Sequence, residues 1–200
     1  MNLIINTIEI ALFIVLPLIL FYQRSHWNFK TWIFLIPVLY LIWYLTYGMM
    51  HELCHLAAVK LSGKEIYEVQ LIPRFWQGEF GAGFVEYDFQ GDTRDFFIIL
   101  APYARDVVFL AAGYFFIRKK WTQKAFWTGL VLVLLIFSPL YDLLDNYLAY
   151  LIWQMNDFNA LAVSSSRWLS HGMGIVLTFF AIFITIRVLK EAKVYPQLNE

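Results

Sequence analysis

Chemistry in this chain is concentrated in His51-Glu52-Leu53-Cys54-His55, an H-E-x-x-H pattern at the end of a long apolar run. Residues four apart on an α-helix share a face, one turn above each other. His51 and His55 can therefore offer two imidazoles to one metal ion, while Glu52 can reach a water molecule beside it. Neutral imidazole suits zinc, and an unligated carboxylate can take a proton from that water. The chain has four histidines, and two of them fall in this motif. Cys54, the single cysteine, lies off the His51–His55 face and reads as a small packing residue.

A second polar stretch is Ser138-Pro139-Leu140-Tyr141-Asp142-Leu143-Leu144-Asp145-Asn146. Asp142, Asp145 and Asn146 stand at i, i+3 and i+4, one polar patch on an otherwise apolar helix. Carboxylates in a membrane span are costly and need a partner. Either a helix-packing contact or a metal would supply it.

The elements that must position these groups follow from composition. Of 200 residues, 60% are hydrophobic, 20% aromatic and 15% charged, the profile of an all-α polytopic membrane protein. With zero formal net charge, nothing suggests a nucleic-acid partner. About five transmembrane helices are expected, at residues 3–22, 31–61, 96–117, 125–150 and 168–189. The second runs through H-E-x-x-H and stops at Ser62-Gly63. Residues 64–95 change character: Glu65–Ile72 and Ala82–Gln90 are rich in β-branched and aromatic residues, separated by Pro73, Gly78 and Gly81. They predict a small membrane-associated β-hairpin whose open edge, within residues 64–90, can pair with an extended substrate strand. Residues 151–167 read as a polar connection, and His171 as an interfacial residue.

Depth along the spans bears on the third ligand. His51 lies 21 positions beyond Lys30, and Asp145 lies 21 beyond Lys124. At about 1.5 Å per residue both sit about 30 Å along parallel-running helices. Asp145 is thus the expected third ligand, with Asp142, one turn away, as the alternative or as its hydrogen-bonding neighbour. A soluble metzincin pattern fails, because Ala58 and Leu61 stand where glycine and the third histidine would be.

In these features the chain resembles the site-2 protease family of intramembrane zinc metalloproteases. His51 and His55 match its zinc ligands, Glu52 its catalytic glutamate, and Leu144-Asp145 its leucine-aspartate pair. Leu100-Ala101-Pro102 resembles its alanine-glycine-proline segment. Asn146 replaces the family's usual glycine and is a candidate oxyanion or substrate contact. The resemblance implies one Zn²⁺ per chain, a membrane-protein substrate within the lipid bilayer, and a single membrane-embedded domain over residues 1–200. A catalytically silent membrane scaffold or chaperone is the alternative expectation.

Topology follows from charge. One side carries Arg24, Lys30, Arg118, Lys119, Lys120, Lys124, Arg187, Lys190 and Lys193. The other carries Lys60, Lys64, Arg74, Arg94 and Arg167. The positive-inside rule places the C-terminus in the cytoplasm of a multi-pass protein of the cell membrane, with the metal site toward the outer face. The family resemblance implies access from the cytosol instead.

Overall fold

The structure is a computed structural model that describes residues 8, 10–24, 29–72, 83–121 and 124–192. Among these, a π-helical turn at Ala11–Val15 leads into α1 (Leu16–Arg24), followed by α2 (Phe29–Ser62). Strands β1 (Ile66–Gln70) and β2 (Phe84–Tyr87) come next, then α3 (Thr93–Arg118) and α4 (Ala125–Val131). A π-helical stretch, Leu132–Phe137, joins α4 to α5 (Ser138–Trp153); α6 (Asn156–Ser164) and α7 (Arg167–Glu191) complete the chain.

Four helical runs are long and apolar enough to cross a membrane: Ile33–Ser62, Thr93–Arg118, Ala125–Trp153 and Arg167–Glu191. They correspond to four of the five spans expected. The remaining one, residues 3–22, lies partly outside the described residues. Outward positions on these helices are apolar, among them Phe34, Val108, Val176 and Phe179, each more than 60% exposed. Surfaces of that kind are compatible with a helical membrane protein, where lipid rather than water meets the outer face.

Two further expectations meet the structure. The hairpin forms as a two-stranded antiparallel sheet, with Ile66 opposite Tyr87, Val69 opposite Val85 and a bulge between Ile66 and Glu68. Its tip, with Pro73, Gly78 and Gly81, lies outside the described residues. The polar connection expected at residues 151–167 is instead mostly helical, carrying the end of α5 and all of α6. The reason is apolar spacing: Phe158 and Leu161, at i and i+3, are fully buried and give α6 a packed face.

By its contacts the chain divides into two compact units. One comprises Met1–Trp43, Asp106–Asp145 and Leu177–Glu200. Its core holds Leu18, Tyr22, Leu39, Trp43, Leu132 and Phe137, all essentially inaccessible. The Tyr22 hydroxyl donates to the Ala125 carbonyl at 3.0 Å, and a Cβ on Gly129 would strike that hydroxyl.

The other unit, Tyr44–Arg105 with Asn146–Val176, carries H-E-x-x-H. Gly63, at φ 73°, ends α2 in the left-handed conformation that glycine adopts without strain. A reciprocal cap starts α3. Asp92 accepts the Asp95 N–H at 3.0 Å, and Asp95 accepts the Asp92 N–H at 3.0 Å. Lys64 Nζ donates to Asp95 at 2.6 Å and to the Asp88 carbonyl at 3.0 Å. One buried lysine thus fastens the hairpin to the start of α3.

Candidate metal centre

On α2, His51 and His55 project one turn apart, as their spacing requires, and both are buried. Their Nε2 atoms stand 3.1 Å apart. The third member of the group is Asp157, in the first turn of α6. Its Oδ2 lies 3.1 Å from His51 Nε2 and 3.2 Å from His55 Nε2. Among the described residues, His51, His55 and Asp157 form the one set of three such side chains whose ligand atoms converge.

Asp145 and Asp142, expected from the sequence as third ligand and its alternative, do not belong to this set. Both are buried on α5, and both fall in the other compact unit. Asn146 is also buried on α5 and is not among the residues that line the cleft described below. Equal depth along two helices says nothing about the direction in which a side chain points. The count from Lys124 also assumed an unbroken α-helix, whereas Leu132–Phe137 is π-helical and changes the angular phase of everything after it.

The donor set fits a tetrahedral cation. Ligands about 2.0–2.1 Å from zinc at tetrahedral angles stand about 3.3–3.4 Å apart, close to the three observed edges. Hydrogen bonding alone serves the triangle poorly. His55 Nδ1 lies 3.0 Å from the Ile98 carbonyl, which can only accept, so Nδ1 carries the proton and Nε2 is bare in neutral imidazole. At most one hydrogen, on His51 Nε2, is then left for three edges. Protonating both rings sets two N–H groups against each other across 3.1 Å. A cation satisfies all three atoms at once.

Neighbouring groups hold the ligands in place. The Tyr103 hydroxyl, on α3, donates to Asp157 Oδ2 at 3.0 Å. The ring of Tyr103 packs 5.0 Å from Phe158, and Tyr147 meets Phe158 from α5 at 5.4 Å. Ser170 Oγ, on α7, donates to the Phe158 carbonyl at 2.6 Å. The residue after Asp157 is therefore gripped from three helices. In the metal-free site burial opposes charge on the Asp157 carboxylate, and only protonated His55 and His51 would outweigh it and lower the pKa.

A cleft of about 350 Å³ opens onto the site. It is lined by Glu52, His55 and Asp157 and by Phe84, Val85, Glu86 and Tyr87 of β2. Successive strand side chains point to opposite faces, so a cavity touching four in a row meets the edge of β2. The Asp88 N–H donates to the Glu65 carbonyl at 3.0 Å, toward β1. By the alternation of an antiparallel ladder, Tyr87 and Val85 then turn their backbone groups to the open edge. Burial, with the charges of Asp95 and Asp157, pushes the Tyr87 phenol up, so it stays neutral beside the site.

Asp157, Tyr103 and Ile98 are members of this cluster that the sequence did not single out. Asp157 had one local signal, an acidic residue just inside a short amphipathic helix. Comparison of the chain with protein-family profiles, characterised proteins and solved structures finds no match.

Proposed function

We propose that this chain is a zinc-dependent peptidase of the membrane that cuts a membrane-protein segment presented as an extended strand. The observation that carries the reading is the convergence of His51 Nε2, His55 Nε2 and Asp157 Oδ2 beside Glu52, in a cleft walled by an open strand edge. Asp157 takes the place that the sequence assigned to Asp145.

His51, His55 and Asp157 would hold the ion. Zinc in such a three-ligand site lowers the pKa of a water molecule to roughly 7 and polarises a peptide carbonyl. The protein's own groups do the rest. Glu52, adjacent in sequence to His51 and lining the cleft, takes a proton from the attacking water. It returns that proton to the leaving nitrogen as the peptide bond breaks. A substrate helix has its carbonyls tied up in hydrogen bonds, so it must unwind before attack. The N–H and C=O groups of Val85 and Tyr87, turned away from β1, offer replacements and keep the segment extended. Phe84, Phe89 and Ile99 supply an apolar wall suited to membrane sequences.

The decisive experiment pairs Glu52→Gln with the wild type in cells, with proteomics of membrane proteins that accumulate in the variant. Cleavage of an accumulated protein should occur with purified wild type and fall about a hundred- to ten-thousandfold in the variant, the worth of a general base. Cleavage by Glu52→Gln at the wild-type rate would sink the mechanism. Normal cell function in both His51→Ala and Glu52→Gln would favour the scaffold instead.

A further inference from the structure

We infer that Pro102 positions His55 by releasing the Ile98 carbonyl from the α3 hydrogen-bond ladder. This rests on the metal-site reading above and concerns how one ligand is oriented. In an α-helix the carbonyl of residue 98 accepts from the N–H of residue 102. Residue 102 is proline, buried within the helical run Thr93–Arg118, and has no N–H to give. Its ring also crowds the carbonyl four residues back and pushes it off the helix axis. The carbonyl so released is the one that accepts from His55 Nδ1 at 3.0 Å.

The consequence is electronic as well as geometric. A histidine binds a metal through one nitrogen only when the other carries the proton, and its hydrogen-bond partner decides which. Ile98 fixes the Nδ1–H tautomer and aims the bare Nε2 at His51 and Asp157. Proline is the least favourable residue inside a helix, yet here it sits four positions past a carbonyl that His55 uses. Pro102 is a positioning residue, acting through Ile98.

Pro102→Ala restores the missing N–H and lets the carbonyl swing back. The test measures zinc dissociation by chelator competition, thermal unfolding, and the His55 tautomer by ¹⁵N NMR of metal-free protein in detergent. Pro37→Ala, in α2, serves as control. In Pro102→Ala zinc affinity should fall about tenfold, as for loss of a ligand's hydrogen-bonding neighbour. The unfolding temperature should equal or exceed that of wild type, and His55 should change from Nδ1–H to a mixture. Pro37→Ala should leave zinc affinity unchanged.

Weaker zinc binding with a lower unfolding temperature and an unchanged tautomer would mean that Pro102 acts only by packing, and overturns the inference. Unchanged zinc affinity and tautomer overturn it too, leaving the peptidase reading intact. A wild type that takes up no zinc, but whose tautomer still changes in Pro102→Ala, removes the peptidase reading and keeps the carbonyl lock.

Discussion

Replacing Asp157 separates the site assembled here from the one expected from the sequence. Four-ligand zinc sites bind their ion with ~10–16 kcal/mol, or about 3 kcal/mol for each ligand. Asp157→Ala should therefore weaken zinc about two orders of magnitude, at 1.4 kcal/mol per factor of ten. The two imidazoles that remain, 3.1 Å apart, can share one proton and need not unfold the site. The Tyr103 hydroxyl, however, loses the acceptor it holds at 3.0 Å, which costs about 1–3 kcal/mol of stability. Asp157→Asn distinguishes these effects. It keeps an oxygen for Tyr103 but removes the charge, so it should retain stability and lose about tenfold in zinc affinity. Chelator competition on detergent-purified protein, with Asp145→Ala and Asp142→Ala in parallel, reads the outcome. Wild-type affinity in Asp157→Ala, with zinc lost in Asp145→Ala, would refute the geometry and restore the sequence-based ligand set.

Three other outcomes are expected. Tyr103→Phe should keep its packing on Phe158 but lose the hydrogen bond to Asp157, weakening zinc about tenfold with little change in unfolding temperature; equal zinc affinity would show that the hydroxyl does not support the ligand. Val85→Pro removes an N–H that faces the cleft and not β1, so substrate KM should rise about fivefold, the worth of one net hydrogen bond. Glu86→Pro should break the strand pair instead; loss of the hairpin signal in Val85→Pro and not in Glu86→Pro would reverse the assigned edge. The Asp95 N–H, with Arg94 and Lys64, holds the Asp92 carboxyl down to about 2. A depressed folded pKa means that the cap's contribution is complete above about pH 4 and is lost as pH falls toward about 2. Unfolding temperature should drop across that window less steeply in Asp92→Asn than in wild type, and identical profiles would count against the cap.

Four of the five spans, the hairpin and the histidine pair were legible in the sequence because each rests on local periodicity. Apolar runs of membrane length, alternating β-branched residues and an i, i+4 pair need no knowledge of the rest of the chain. Asp157 was not legible for the opposite reason. Its place in the triad depends on α6 being a helix, and residues 151–167 look polar until Phe158 and Leu161 are seen as one buried face. Asp145 looked better because it satisfied a height condition. Height constrains one coordinate of three, and the π-helical stretch at Leu132–Phe137 alters the rotation about the axis that the count left free.

Pro102 shows how a residue can be visible in the sequence while what it does locally is not. A proline inside a membrane helix is tolerated there because neighbours can re-satisfy the backbone, and the sequence does not say which neighbour does so. Here the group that re-satisfies the backbone is His55, donating to the Ile98 carbonyl at 3.0 Å. The tolerance and the function are then one hydrogen bond. α3 reaches the site again through the next residue, since Tyr103 donates to Asp157. Two consecutive positions of one helix are thus tied to two members of the triad borne on two others. A substitution that straightens α3 without touching any ligand should loosen both contacts together, and zinc affinity in Pro102→Ala combined with Tyr103→Phe should fall by less than the product of the single effects.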